Sequence, residues 1–433
     1  MLKIGKYLLV VLFILSLMLL GWNYYNQQDK TLTIGIYTDS SWGVPNSNEY
    51  KFIDYVTRKF EKQNPHVKVR YETGISKDDY MDWLAEKILK NKTPDVFIVP
   101  ANRFSLLSST GALANLTYFT KLDHTPFSKL YYPANYSAGK YKGAQYALPF
   151  ESNPTLMCVN TDLLKRNGLK VPNSNWTITH FYELCRKMNQ DTNHDGTIDQ
   201  FGFADYDWQD AIMAYGTDLF NPSGTESYFN TSKVRNALFM MSKLYNLQNS
   251  YNVTSDDFDK GKVAFLPMTL AQYRTYESYP YHIARYSSFL WTCIRMPAIN
   301  KNIASTSVET TLFGMAAHTK HPILAWKLLK MLCANQKVQQ KLFETSQGAS
   351  VMKSVMQSNQ VQKILKAENV GDDALTENKF NNIMYRAKNI PEFKNYNNVI
   401  HKADYLIEEA IEKNTIGTEL SNIQIQIQND LNN

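Results

Sequence analysis

Strand-like and helix-like patterns alternate from Thr31 to Val99, and this alternation limits the fold more than any other feature of the sequence. Short apolar or alternating runs indicate strands, whereas apolar residues that recur every three or four positions indicate helices. The pattern predicts strands at 32–37, 67–71 and 96–99 and helices at 52–60 and 80–88. Successive strand–helix–strand units place their strands in parallel through right-handed crossovers. The segment therefore predicts a parallel α/β sheet.

Polar loops follow the first and third predicted strands. Asp39 and Trp42 come after the first strand, and Asn102 comes after the third. Ligands of open α/β sheets bind beyond the carboxyl ends of the strands. We therefore expect these three side chains to border a binding site, with packing in the core as the alternative for the tryptophan.

The chain is longer than one small domain requires. Its 433 residues predict two domains, and its 44% hydrophobic and 20% charged residues are typical of a globular protein. The net charge is +6, but no dense Lys/Arg block is present, which argues against a nucleic-acid interface. The four cysteines form no CxxC pair, so buried free thiols are favoured over a disulfide framework.

A loop at 191–202 has the spacing of an EF-hand-type calcium site. Oxygen-bearing side chains occupy its odd positions from one to nine, and Gly196 lies at position six, where such a loop turns sharply. The predicted metal ligands are Asp191, Asn193, Asp195, Thr197 and Asp199. Position twelve is Gly202, not the bidentate Glu of the full motif. The prediction is a structural calcium ion, and the alternative is an ordinary Asn- and Asp-rich surface turn.

Several segments resemble the carbohydrate-binding family of extracellular solute-binding proteins that serve ABC importers, the family that includes maltose-binding protein. One is the calcium-type loop, followed by Asp-Gln-Phe-Gly-Phe at 199–203 and by Trp208. Another is the Phe-x-x-Gly-Lys-x-Ala sequence at 258–264, and a third is Ala325-Trp326 within an amphipathic helical pattern. The resemblance extends over essentially all of the chain after its N-terminal segment.

The resemblance implies a two-lobed α/β fold of the periplasmic-binding-protein type (type II). Each lobe is then a mainly parallel sheet flanked by helices, and the ligand binds in a cleft between the lobes. The implied divisions are a signal or anchor segment at 1–30, an N-terminal lobe at 31–148 with about 316–345, and a C-terminal lobe at 149–315 with about 346–433. Glu151, where the chain crosses between lobes, would lie at the mouth of the cleft.

The resemblance also implies a function: a monomer that binds a carbohydrate and delivers it to the membrane permease of an ABC transporter. Sugars have apolar faces and a rim of hydroxyl groups, so their sites need aromatic rings and hydrogen-bonding side chains. Predicted loops supply Trp208 with Asp210, Tyr273 with Arg274, and Trp291. Several rings favour an oligosaccharide. The alternatives are that the rings pack in the core and that the arginine pairs with a nearby carboxylate.

An apolar run from Tyr7 to Gly21 follows Lys3 and Lys6, as in an export signal. A lipoprotein signal would supply a cysteine next, but Trp22 occupies that position, so the lipid anchor is chemically excluded. Either a peptidase removes this segment, or it remains as a helix that anchors the protein at the extracellular face of the membrane. The absence of a clear small-x-small cleavage site favours the anchor.

Two other functions fit parts of the sequence. A binding protein held by an uncleaved helix could report sugar to a membrane histidine kinase instead of feeding a permease. A glycan-cleaving enzyme needs two carboxylates that face one bond, and no carboxylate stands out as the proton donor. The sequence also lacks HExxH, GxSxG and phosphate-loop motifs. Catalysis is therefore disfavoured.

Overall fold

The computed structural model describes residues 16, 28–38, 40–44, 50–248, 251–275, 289–368 and 375–432. The strands are β1 (Lys30–Gly35), β2 (Val67–Tyr71), β3 (Val96–Val99), β4 (Lys140–Tyr141), β5 (Ala144–Gln145), β6 (Ala147–Asn160), β7 (Phe201–Phe203), β8 (Val263–Thr269), β9 (Trp291–Ile294), β10 (Thr306–Met315), β11 (Ala349–Ser350) and β12 (Ala387–Asn389).

The α-helices of the first half are α1 (Lys51–Gln63), α2 (Tyr80–Leu89), α3 (Phe104–Ser109), α4 (Thr117–Leu122), α5 (Phe127–Leu130), α6 (Pro133–Ala138), α7 (Thr161–Arg166), α8 (Ile178–Met188) and α9 (Trp208–Ala214). Those of the second half are α10 (Ser232–Leu247), α11 (Ser255–Asp259), α12 (Leu270–Thr275), α13 (Pro322–Ala334), α14 (Gln336–Thr345), α15 (Lys353–Met356), α16 (Asn359–Ala367), α17 (Glu377–Met384), α18 (Tyr396–Glu412) and α19 (Ile416–Asn432).

The alternation predicted for the first hundred residues is confirmed. β1 pairs in parallel with β2 on one side and with β3 on the other. All four residues of β3 are buried, which explains its continuous apolar sequence. Helix α1 buries Phe52, Ile53, Val56 and Phe60, the residues that recur at helical spacing.

One long sheet runs through the molecule in the order β2-β1-β3-β10-β6-β8-β7. Its two ends are parallel pairs, and β10 and β6 join them as antiparallel strands. β6 is the key connection because its first half pairs with β10 and its second half pairs with β8 and β9. The register between β10 and β6 shifts between Thr311, which pairs with Glu151, and Leu312, which pairs with Pro149. Pro149 has no N–H group to donate to the ladder, and such positions are typical of irregular pairing.

The buried side chains of the described residues form two clusters, and the first extends along the sheet from β2 to β7. The first contains the side chains of β1–β3 and α13, together with one face of the β8–β9 region. The second contains the buried faces of α8, α10, α18 and α19. Buried residues within 349–384 belong to the first cluster. The predicted division into lobes, with 346–433 in the second, stays a prediction.

The predicted signal or anchor segment at 1–30 lies almost entirely outside the described residues, which include only Ser16 and 28–30 of it. Within the described part of the chain, no helix is both long enough and apolar enough to cross a membrane.

Candidate ligand-binding cleft

A cavity of about 1080 Å³ opens between the two ends of the molecule. One wall comes from residues 101–142, and the facing wall comes from residues 209–223 and 387–396. Residues 308–312 of β10 lie between the walls. Because β10 and β6 are the strands that connect the two ends, the cavity lies where a two-lobed protein binds its ligand.

Aromatic rings reach this cavity from both walls. Phe104 and Tyr141 contribute from one side, and Phe220 and Tyr396 contribute from the other. The ring centroids of Phe220 and Tyr396 are 6.0 Å apart in an edge-to-face arrangement, so each ring helps to orient the other. The ammonium group of Lys142 lies 5.4 Å from the ring centroid of Tyr141. The cavity therefore offers apolar ring surfaces beside charged groups.

Two carboxyl groups, Glu309 on β10 and Glu392 before α18, line the same cavity. Loss of hydration and the nearby charge of Glu309 together raise the pKa of Glu392 to about 7, while Lys77 opposes the rise. Loss of hydration also raises the pKa of Glu309, although its side chain reaches solvent. At neutral pH the Glu392 carboxyl group can therefore donate as well as accept a hydrogen bond.

A smaller cavity of about 210 Å³ continues from the first, because Gln209 and Ile390 line both. Asp207 and Asp210 lie on its wall at the start of α9, where they form a capping box. The Asp210 N–H donates to the Asp207 carboxylate at 2.8 Å. Although Asp207 reaches solvent, loss of hydration raises its pKa to about 6, and the same cause raises the pKa of Asp210. This end of the cleft is therefore acidic.

Among the predicted ligand-binding residues, Asp210 is the one that lines these cavities. Asp39 lies outside the described residues. Asn102 is half-buried in the turn after β3, and its neighbour Ala101 is the residue that lines the cleft. Trp42 and Glu151 line a separate cavity of about 80 Å³.

The Glu151 side chain is buried, and its carboxylate bonds to a neighbouring loop. Its carboxylate accepts a hydrogen bond from the Gly348 N–H at 2.9 Å. Burial raises its pKa, while the neighbouring Ser346 and Trp42 side chains oppose the rise. These contacts hold the 346–348 loop against β6. Glu151 therefore lies in the interior of this structure, whereas the sequence predicted a place at the cleft mouth.

Arg274, which was predicted to contact ligand, is paired with a carboxylate in this structure. Its guanidinium makes two hydrogen bonds of 2.9 Å with the Glu368 carboxylate. It makes three more of 2.9 Å with the carbonyl oxygens of Phe343, Ser346 and Gly348. All five N–H donors of an arginine are thereby used. The alternative stated for this residue, a structural carboxylate pair, is the one observed.

The three aromatic residues Trp208, Tyr273 and Trp291, which were predicted to contact ligand, pack in the interior of this structure. Trp208 is 1% exposed, and its indole N–H donates to Asp404 at 2.9 Å. Trp291 is also 1% exposed, and its ring centroid lies 5.5 Å from that of Tyr273. With so little free surface, these rings stabilise the core and cannot stack on a ligand in this structure.

The predicted calcium loop forms a compact turn held by its own carboxylates. Asp191 accepts hydrogen bonds from the N–H groups of Asp195 and Gly196, and Asp199 accepts them from Thr192. Gly196 has φ +90°, as the sharp turn requires. Among the described residues, no group of three or more His, Cys, Asp and Glu side chains could hold a metal ion. The calcium site therefore stays a prediction.

The sequence-based prediction missed Tyr141, Phe220, Glu309, Glu392 and Tyr396. Glu309 had a detectable signal, because it is a charged residue within the strand that returns to the first lobe. The others had none, since their positions in the cleft depend on how distant segments pack.

Comparison with solved structures shows the two-lobed α/β fold. An ABC substrate-binding protein from Listeria monocytogenes in complex with cycloalternan is 21% identical, with a TM-score of 0.65 and coverage of 94% of this chain and 100% of that one. The sugar-binding protein MalE from Xanthomonas citri is 14% identical, with a TM-score of 0.73 and coverage of 93% and 97%. A cyclic alpha-maltosyl-1,6-maltose binding protein from Arthrobacter globiformis is 15% identical, with a TM-score of 0.70 and coverage of 92% and 99%. The predicted fold class is thus confirmed.

A family model agrees with the fold. The model for bacterial extracellular solute-binding proteins matches residues 56–369, which is most of the chain. The match includes β2–β11 and most of the residues that line the larger cavity. The resemblance seen in the sequence is confirmed, and the chain belongs to the family of bacterial extracellular solute-binding proteins.

Proposed function

We propose that this protein binds an oligosaccharide in the inter-lobe cleft and delivers it to the permease of an ABC importer. The observation that carries the proposal is the cavity of about 1080 Å³ with aromatic rings and carboxyl groups in its lining. Its volume is at the top of the range of roughly 300–1,000 Å³ that small-molecule sites occupy, which favours several sugar rings over one. Family membership and the sugar ligands named for the structural neighbours support the same proposal.

The charges of the larger cavity favour an uncharged ligand. Its described lining residues include three cations and three acidic side chains: Lys140, Lys142, Lys388, Asp218, Glu309 and Glu392. Lys388 and Asp218 form an ion pair with each other. The acidic smaller cavity adds Asp207 and Asp210. A glycan of uronic acids would meet these carboxyl groups, so the basic isoelectric point of the whole chain does not indicate an anionic ligand.

A two-lobed binding protein responds to its ligand by closing. Tyr141 and Tyr396 line the same cavity, so one oligosaccharide can contact both rings. The ligand then favours the closed arrangement because it makes more contacts there. In the proposed function, the permease recognises that closed form.

Isothermal titration calorimetry with neutral and uronic-acid oligosaccharides tests the proposal. We expect a neutral oligosaccharide to bind, and Tyr396→Ala to weaken its binding at least about tenfold, which corresponds to about 1.4 kcal/mol. Tyr405→Ala is the matched control, since Tyr405 lies on the same helix and is 67% exposed. Absence of binding to every glycan, or an equal loss in both variants, would contradict the proposal.

We also propose that the ligand leaves the cleft chemically unchanged. The solute-binding family and the structural neighbours named above are binding proteins, which supports this. Incubation with a labelled oligosaccharide that binds, followed by chromatography, should return the intact glycan. Shortened products that disappear in Glu309→Gln would establish a glycan-cleaving enzyme instead.

Retention of the N-terminal segment as a membrane anchor is proposed from the sequence alone. The segment at 1–30 combines an export-type apolar run with Trp22 in place of a lipid-carrying cysteine. Membrane fractionation followed by N-terminal sequencing tests this proposal. We expect the full chain in the membrane fraction, and a shortened chain in the medium would refute anchoring.

Calcium binding by the loop at 191–199 is proposed from its ligand spacing and from the position of Gly196. Asp191 already has its carboxylate turned toward the centre of the loop, where it accepts backbone N–H groups. Calorimetric titration of chelator-treated protein with Ca²⁺ should show one site, and Asp191→Asn with Asp195→Asn should abolish it. The absence of heat in the wild-type protein would leave the surface turn as the correct interpretation.

A further inference from the structure

Two of the four cysteines meet in the interior of the sheet. Cys158 on β6 and Cys293 on β9 are directly paired in an antiparallel ladder. Their Sγ atoms are 3.3 Å apart, and both side chains are buried. Cys185 and Cys333 are buried elsewhere, on α8 and α13. The chain therefore contains one pair of thiols in contact.

The backbone at this pair suits a covalent link. Directly opposed residues of an antiparallel ladder have Cα atoms about 4.5 or 5.5 Å apart, depending on the type of pair. Both separations lie within the roughly 4.4–6.8 Å that a disulfide spans. An S–S bond is about 2.0 Å long, so the sulfur atoms of Cys158 and Cys293 need to approach by about 1.3 Å. Small side-chain rotations supply that distance without displacement of either strand.

We propose that Cys158 and Cys293 form an intramolecular disulfide in the mature protein. The proposal depends on the extracellular location that belongs to this family, and it is independent of the ligand. In the first step, a Cys158 thiolate attacks a small-molecule disulfide and releases one thiol. In the second, a Cys293 thiolate attacks the mixed disulfide at the Cys158 sulfur and releases the second thiol. Two protein thiols are oxidised, and one disulfide oxidant is reduced to two thiols.

The bond would reinforce the strand that joins the two ends of the sheet. It encloses a segment of 135 residues and ties the second half of β6 to β9. Burial raises the pKa of the Cys158 thiol, and the neighbouring thiol of Cys293 raises it further. The reactive thiolate is therefore disfavoured in the folded protein. Oxidation accordingly takes place while the exported chain folds, before the strands close over the sulfur atoms.

The state of the thiols in the exported full-length chain tests the proposal. The exported protein is taken from the membrane fraction, denatured without reductant in excess iodoacetamide, and weighed by mass spectrometry. We expect two alkylated cysteines, four after prior reduction, and a proteolytic peptide that links Cys158 to Cys293. Four alkylated cysteines without reduction, both in this sample and after refolding with oxidised glutathione, would overturn the proposal.

Single variants assign the pair. Cys293→Ala should leave Cys158 free and give three alkylated cysteines. Cys185→Ala is the matched control, because it removes a buried thiol outside the pair; it should give one alkylated cysteine and keep the linked peptide. Loss of the linked peptide in Cys185→Ala, or fewer than three alkylated cysteines in Cys293→Ala, would contradict the assigned pair.

Discussion

Replacement of Arg274 by methionine tests whether this arginine stabilises the fold or binds ligand. Its guanidinium makes five hydrogen bonds, and its side chain is 5% exposed. The variant removes the partner of Glu368 and leaves three carbonyl oxygens with one acceptor bond fewer. Loss of one member of a buried pair costs about 3–5 kcal/mol. Because the Glu368 side chain is 25% exposed and can be hydrated, we expect the lower end, about 3 kcal/mol.

Guanidinium chloride denaturation of the wild type and the variant measures this difference in the free energy of unfolding. Arg186→Met is the control, since Arg186 and Glu183 form an exposed pair that contributes about 0–1 kcal/mol. Oligosaccharide affinity, measured under conditions where the Arg274→Met variant stays folded, should change less than about twofold, or about 0.4 kcal/mol. A stability loss below about 1 kcal/mol together with a large loss of affinity would refute the structural role.

Three further variants test other parts of the structure. The pKa of Glu392 is raised from 4.5 to about 7 in the folded protein. Between these two pH values the folded state therefore binds more protons than the unfolded state, and the free energy of unfolding falls as the pH rises. Glu392→Gln should flatten this pH dependence in chemical denaturation, and an unchanged slope would contradict the raised pKa. Trp208→Ala should cost about 3–5 kcal/mol in the same assay because it leaves a large internal void and removes the bond to Asp404. Gly202→Ala should lower the free energy of unfolding by about 1–3 kcal/mol, because the added Cβ would lie 2.5 Å from the Cα of Cys185. An unchanged free energy of unfolding would show that α8 can shift to make room for the methyl group.

The secondary structure was largely predictable because its signals are local. The helices at Lys51–Gln63 and Tyr80–Leu89 match apolar residues spaced along one helical face. The strand at Val96–Val99 matches a short apolar run that is buried on both sides. Such patterns depend on neighbouring residues in the chain, so they are present in the sequence before any tertiary contact forms.

The contents of the cleft were not predictable to the same extent. Trp208 lies in a polar segment that resembled a binding loop, yet its indole N–H is bonded to Asp404, which is 196 residues away. Tyr396 carried no special signal, yet its packing beside Phe220 brings it to the cavity wall. An aromatic residue in a loop has the same local sequence whether it faces a ligand or the core.

The sequence by itself therefore determined the alternating elements and the family, because these depend on periodicity and on motifs of adjacent residues. Only the tertiary structure decided which side chains line the cleft and which ones brace it. The physical reason is that the exposure of a side chain and its bonding partners depend on segments that meet only after the chain has folded. The ion pair of Arg274 with Glu368 is one example.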